Sequence, residues 1–282
     1  MSRIAKRTLA FLLVLCVALL PSCSTVRFTA EDGFLYITFF DVGQGDAILL
    51  QTADGAILVD AGTENAEESL LLSMQTLGVL SLSLFVMTHP DADHIGGADG
   101  VIDRLPIDEV WCSGSPSDTG ATRRMEAALE RADLAAKPVT TGERYTLGAL
   151  QLLVLSPERP TSNTNASSVV LLVSYGETDI LLMGDADAKA EAKILEEFPS
   201  WEIDCELLKA GHHGSRTSSS TDFLSVATPE YTIISCGAGN SYGHPHGEVL
   251  ERLSAVGSEV LRTDLEGSIY FYTDGRTLFR GR

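Results

Sequence analysis

Basic residues are scarce in this chain of 282 residues: 20 lysines and arginines stand against 39 aspartates and glutamates, for a formal net charge of −19. A surface of that sign repels polyanions at long range, which excludes a simple DNA-binding module driven by phosphate contacts unless metal ions or local cations override it. Cysteine is scarce too, with Cys16 and Cys23 near the start and Cys112, Cys205 and Cys236 in the body. Three body cysteines cannot all pair internally and their spacing fits no zinc ribbon, so they are read as small buried residues in strands. The longest apolar run at the start, twelve residues from Leu9 to Leu20, falls short of the roughly 20 needed to span a bilayer. No short-period repeat or low-complexity linker appears. A content of 44% hydrophobic residues suits one large domain, or two intimate halves, with a substantial core.

The apolar run follows Arg3, Lys6 and Arg7 and precedes Pro21, Ser22 and Cys23. That is the pattern of a secretory signal peptide over residues 1–22, and its Leu-Pro-Ser-Cys ending is similar to a bacterial lipoprotein processing box with Cys23 as the lipidated first residue. The expectation is an extracellular or cell-surface protein, anchored by lipid at Cys23 or secreted, with a linker over 23–33 and one domain over 34–282. Removing residues 1–22 takes away three positive charges and no negative ones, so −19 becomes −22.

Short apolar strands alternate with helical patterns. Strands are expected at 34–40, 46–51, 56–60, 82–88, 108–112, 150–155, 168–175, 179–185, 205–211 and 231–237, with three more closing the chain. Helices are expected near 65–78, 95–103, 120–133, 187–198 and 246–255, and 156–168 reads as a long surface loop. Hairpins flanked by strand-helix-strand units occur in both halves. Two mixed sheets packed face to face, with helices outside, accommodate this pattern best.

All six histidines fall in three short segments, "HPDADHIGG" from His89, "AGHHGS" from Ala210 and "YGHPHG" from Tyr242, each after an expected strand or before an expected helix. Scaffolds present functional groups on such loops, so the three could meet at one edge. In the first segment His89 and Asp91 alternate with other residues, while Asp93 and His94 are adjacent. A tight turn can aim one pair at one divalent ion and the other pair at a second. Such ions accept imidazole nitrogen and carboxylate oxygen together, and two of them about 3.5–4 Å apart clamp a nucleophile and a leaving oxygen. A bridging carboxylate is then needed from elsewhere, and Asp185 closes the strand "ILLMGD", where it would also suit a helix cap. A histidine of "LLKAGHHGS" ends another strand. Asp60 after "AILV" either caps or orients a ligand imidazole from behind, and the second role is expected. Asp41, Gln44 and Asp46 of "DVGQGD" shape a hairpin turn and are given only a supporting place behind the ligands.

Together "LVDAG", "THPDADHIGG", "LLMGDAD" and "LKAGHHGS" resemble the metallo-β-lactamase superfamily, and "FFDVGQGDAILL" and "YGHPHGEVLERL" resemble the extracellular hydrolase domain of the ComEC competence proteins and their freestanding relatives. The likeness runs from about residue 34 to 273. It implies an α/β fold, a four-layer αβ/βα sandwich with metals at the rim between the sheets. It makes His89 and Asp91 ligands of one metal, Asp93 and His94 ligands of the other, and Asp185 the bridge. One of His212 and His213 completes the second site, with His213 favoured and His212 turned toward substrate. Two departures stand out. The usual motif has histidine where Asp91 stands, and a third histidine expected before the bridging aspartate is replaced by the "TSNTNASS" loop, where Asn165 or Ser168 takes its region. The first metal is therefore expected to be weakly held, and the harder ligand set makes Mn²⁺ a rival to Zn²⁺.

The expected chemistry is hydrolysis by a water that the metals activate near neutral pH, with Asp93 sharing the proton handling. Lys209, His244 and His246 are the candidates to bind phosphate oxygens or protonate the leaving group, with His246 placed in the catalytic role. The alternatives are a solvated strand end for Lys209 and a plain turn for "GHPHG". The resemblance implies phosphodiester cleavage, with single-stranded DNA as the suggested polymer, although the acidity weakens the nuclease reading. No multi-span channel occurs in these residues, so coupling to DNA uptake is not supported. The competing readings are hydrolysis of a small or cell-envelope ester, phosphodiester or lactam, and a metal-binding surface protein without catalysis. A monomer is expected.

Overall fold

Apolar runs such as Ile48-Leu49-Leu50 contain no polar residue to turn outward, so their strands must be covered on both faces. The computed structural model, which describes residues 30–281, meets that demand with two sheets between two helical layers. The expected signal peptide and lipidated Cys23 lie outside the described residues. The first sheet has the order β15 (Leu278–Arg280), β14 (Ile269–Thr273), β1 (Leu35–Phe39), β2 (Ile48–Thr52), β3 (Gly55–Val59), β4 (Leu84–Met87), β5 (Val110–Cys112), β6 (Ala136–Pro138). The second has the order β13 (Glu259–Arg262), β12 (Tyr231–Ile234), β11 (Leu207–Lys209), β10 (Thr178–Leu182), β9 (Val170–Tyr175), β8 (Leu150–Ser156), β7 (Arg144–Leu147).

Both sheets follow one plan. An antiparallel meander, β1-β2-β3 or β7-β8-β9-β10, leads into parallel strands, β3-β4-β5-β6 or β10-β11-β12-β13. Ile48 and Leu50 face the core between the sheets, while Leu49 faces the helices outside the first sheet. Truncating such a side chain to alanine costs about 2–5 kcal/mol, so this layering is strongly specified. Helices Ala188–Glu197, Thr221–Ala227 and Gly247–Ala255 close the outer face of the second sheet with Ala190, Ile194, Phe223, Leu224, Val249 and Leu253. The C-terminal ends of parallel strands from both sheets reach one rim, where open α/β sheets present their loops.

The expected helix near 95–103 is two pieces, Ala92–Ile95 and Ala98–Arg104. The break falls at Gly96, where a Cβ would lie 2.3 Å from the Ala92 carbonyl oxygen and 2.5 Å from the Glu64 nitrogen. β6, β7 and helix Thr221–Ala227 were not anticipated. The first two are short edge strands with exposed positions and no apolar run, and the helix has only seven residues. The 156–168 segment is not all surface, because Ser167 and Ser168 are buried. Cys205 and Cys236 are buried and Cys112 is half-buried at the end of β5, all three as free thiols. Among the described residues no helix is long and apolar enough to cross a membrane.

Candidate metal site

β4 ends at Met87 and hands the chain to Thr88 and His89, after which extended Asp91 leads into the single turn that carries Asp93 and His94. Asp185 follows β10. After β11 the chain passes through His212 and His213, both in the left-handed region with φ of 49° and 54°. That conformation costs a non-glycine residue about 1–3 kcal/mol, and it persists here in two successive residues at the rim. Gly45 permits a further close approach: a Cβ there would lie 2.2 Å from the Asp93 carbonyl oxygen, to which Asp46 donates its backbone N–H.

These turns aim ring nitrogens at one centre. Asp185 Oδ1 lies 3.2 Å from His94 Nε2 and 3.5 Å from His213 Nε2, and its Oδ2 lies 3.7 Å from His89 Nε2 and 3.5 Å from His212 Nε2. Asp93 reaches within 3.3 Å of His213 Nε2 and Asp91 within 3.7 Å of His89 Nε2. The Nε2 atoms of His94 and His213 face each other at 3.3 Å. His89 Nε2 and Asp185 Oδ1 are buried with no hydrogen-bond partner. Buried polar atoms are rarely left so, and lone pairs converging from imidazoles and carboxylates are the donor set that divalent cations accept.

The other ring nitrogens are held from behind. His94 Nδ1 donates to Asp60 Oδ2 at 2.7 Å, and the same carboxylate accepts the Thr88 N–H at 2.8 Å and its hydroxyl at 2.7 Å. With its hydrogen so directed, the Thr88 oxygen accepts from His89 Nδ1 at 3.1 Å. His213 Nδ1 donates to the Ser235 carbonyl at 3.0 Å. When the rings are neutral, all three Nε2 atoms therefore turn lone pairs inward, the tautomer that metal ligation requires.

Electrostatics agree. Burial works against charge on His94, but Asp185 and Asp60 override it and raise its pKa well above the ordinary value. Burial is likewise overridden at His213 by Asp185 and Asp46, which raise it to about 9. His89 is pushed down to about 4 by burial and by the charge of His94. Burial of Asp185 is more than offset by His213 and His94, and its carboxyl stays well below the usual range. The centre calls for positive charge.

Asp46, His94, Asp185 and His213 are buried and offer ligand atoms within 4.8 Å of one another. Asp46 differs from the rest. Its Oδ2 pairs with Lys209 Nζ at 2.7 Å, and its Oδ1 lies 3.4 Å from Nδ1 of His213, the side away from the centre. It supports His213 from behind and joins the first sheet to the second.

The structure thus brings together His89, Asp91, Asp93, His94, Asp185, His212 and His213. His213 is buried with Nε2 inward. His212 is half-buried, with its ring nitrogens 3.4 and 3.5 Å from the Asn165 amide nitrogen. Several expectations need correction. Lys209 does not face substrate: it is fully buried against Asp46 and donates to the Ala210 carbonyl at 2.9 Å. Ser168 is buried as well, and its hydroxyl accepts the Asp185 N–H at 3.1 Å. Asp185 is not a helix cap, because Asp187 accepts from Lys189 and Ala190. Asp41 is exposed, its side chain accepting the Gly43 N–H of its own turn and its backbone N–H donating to the Ser268 hydroxyl, and Gln44 accepts the Gly237 N–H, tying two rim loops together. His246 accepts the Arg216 N–H through Nδ1 at 3.2 Å, which spends that nitrogen on loop structure. His244 is mostly buried with Nδ1 unpartnered, and burial and then His213 bring it down to about 4. Sequence reasoning missed Thr88 and Ser235, whose only signal is adjacency to expected strand ends, and the partnership of Asp46 with Lys209.

Residues 40–238 match the family model described as the metallo-beta-lactamase superfamily. ComE operon protein 3 of Bacillus subtilis is 31% identical over 277 residues, covering 88% of this chain and 35% of that protein. Competence protein ComA of Neisseria gonorrhoeae is 33% identical over 237 residues, covering 83% of this chain and 32% of its own length. The chain thus spans about a third of the length of these curated relatives. Among solved structures, the metallo-beta-lactamase fold protein YhfI from Bacillus subtilis superposes with a TM-score of 0.59 at 13% identity, over 86% of this chain and 100% of that one, a likeness of fold.

Proposed function

The chain belongs to the metallo-beta-lactamase superfamily of metal-dependent hydrolases, and on that premise we propose that it cleaves phosphodiesters, with single-stranded DNA as the polymer substrate, outside the cytoplasmic membrane. The observation that carries this reading is the inward convergence of three Nε2 lone pairs and three carboxylates, with His89 Nε2 and Asp185 Oδ1 left unpartnered in the buried site. His89 and Asp91 would hold one ion, and Asp93, His94 and His213 a second, with the Asp185 carboxylate within reach of both sets of ring nitrogens. Mn²⁺ or Zn²⁺ bound there would supply an activated water and offset charge on the phosphoryl group. Asp93 takes up the proton of the attacking water. His212, half-exposed beside Asp185, and neutral His244 face the substrate side. Similarity to a protein named for competence supports a nucleic-acid substrate over a lactam. The basic and apolar pattern of residues 1–22 supports export, with lipid at Cys23 as the anchor.

The test is to purify the protein, measure bound metal, and assay bis-p-nitrophenyl phosphate, single-stranded DNA and nitrocefin with Mn²⁺ and with Zn²⁺. Cleavage of the two phosphodiesters and not of nitrocefin is expected, and Asp93→Ala should remove it. An Asp93→Ala protein of full activity, or hydrolysis of nitrocefin alone, would overturn the assignment.

A further inference from the structure

Tyr242 is an anomaly at the rim. It is 64% exposed, yet it does not sit on a loose loop. The Asn240 side chain accepts the backbone N–H groups of Tyr242 at 3.2 Å and His244 at 3.0 Å, and donates to the carbonyls of Gly237 and His244 at 2.9 and 2.6 Å. Gln44 fastens the same loop to the first sheet through Gly237. One face of the Tyr242 ring lies against His244, with centroids 5.6 Å apart and planes 22° from parallel. His244 in turn meets His212 at 5.6 Å, so a strip of rings runs from solvent to the metal-facing histidine pair. Tyr242 also borders an open cleft of about 430 Å³ whose lining includes Gln44, Glu64, Asn65, Asp93 and Arg124. Asp93 places one end of this cleft at the ligands. Arg124 is held there by Glu64 at 3.0 Å and Asp99 at 3.3 Å.

Resting on the phosphodiesterase reading above, we propose that this cleft is a nucleoside subsite, in which the base next to the scissile phosphate stacks on the open face of Tyr242. A chain of charge −19 cannot recruit a polyanion through its overall field, so contacts that carry no net charge must add to what the metal ions supply at the scissile phosphate. Base stacking on an aromatic ring is such a contact, it tolerates any base sequence, and a ring fixed in advance loses little freedom when it is covered.

The experiment compares oligothymidylate with an abasic deoxyribose-phosphate oligomer of the same length and charge, using the Mn²⁺-loaded protein. The wild type should prefer the base-bearing strand by about 5- to 100-fold in kcat/KM, the range that stacking of one base represents. Tyr242→Ala should bring that ratio to about one, and Tyr242→Trp should keep it. A ratio unchanged in Tyr242→Ala, or an equal loss on both strands, would overturn the subsite and leave the phosphodiesterase reading standing. Equal cleavage of both strands by the wild type would do the same. Failure of the wild type to cleave either strand or bis-p-nitrophenyl phosphate would overturn both.

Discussion

The two ends of the metal site are built to different standards. At the deep end His94 and His213 are buried, and each has a carboxylate near its outer nitrogen, Asp60 at 2.7 Å and Asp46 at 3.4 Å. At the shallow end His89 rests on a threonine hydroxyl, the Asp91 carboxylate is 43% exposed, and the neutral amide of Asn165 lies beside His212. Burial raises the pKa of Asp91, the direction opposite to that of Asp185. A carboxylate behind an imidazole fixes its tautomer and strengthens it as a donor, which a hydroxyl does less well. On the proposed two-ion reading, the ion at the deep end would be the tightly held one and the ion at the shallow end the exchangeable one.

The deep end can be broken most severely through Lys209. Lys209→Met leaves Asp46 buried without its partner, and we expect a loss of about 3–5 kcal/mol in denaturant unfolding of the metal-free protein. A loss below about 1 kcal/mol would mean that the pair does not hold the two sheets together at this point. A pH series sharpens the same contrast. In metal-free protein the pKa of His213 is raised from 6.5 to about 9, so its contribution is fully present below pH 6.5 and disappears as pH rises through about 9. Metal affinity should show the opposite slope and strengthen with pH, because an ion held by His94 and His213 must displace their protons. Thermal unfolding with and without Mn²⁺ across this window reads both, and parallel curves would contradict the account. The smallest effects separate the two ends directly. Asp60→Asn should weaken the tighter ion by about 10- to 100-fold in a calorimetric titration and the other by less, since His89 feels Asp60 only through Thr88, whereas Asn165→His should tighten only the weaker one. Equal changes at both ions in either variant would show that the ends are not distinct.

Legibility in the sequence followed locality. The turn from His89 to His94 packs four ligand-type residues into six positions, so its chemistry was readable without any tertiary knowledge. Asp60 was readable too, because it ends an apolar strand. Lys209 was misplaced for the same local reason: a lysine at the end of a strand ordinarily reaches solvent, and only the opposite sheet supplies Asp46 to keep it buried. Ser168 and His246 likewise offered plausible polar groups, but their oxygen and nitrogen are taken by backbone N–H groups from Asp185 and Arg216.

By itself, the order of residues determined the layered two-sheet architecture, since strands with no polar face must be covered twice, and it determined which loops carry imidazoles and carboxylates. Tertiary structure alone decided which of those groups point inward, which are spent on holding a loop, and which of two neighbouring histidines is buried. The physical reason is that ring orientation depends on a hydrogen-bond partner at the back. For His94 and His213 those partners, Asp60 and Ser235, arrive from other strands and not from the neighbouring residues.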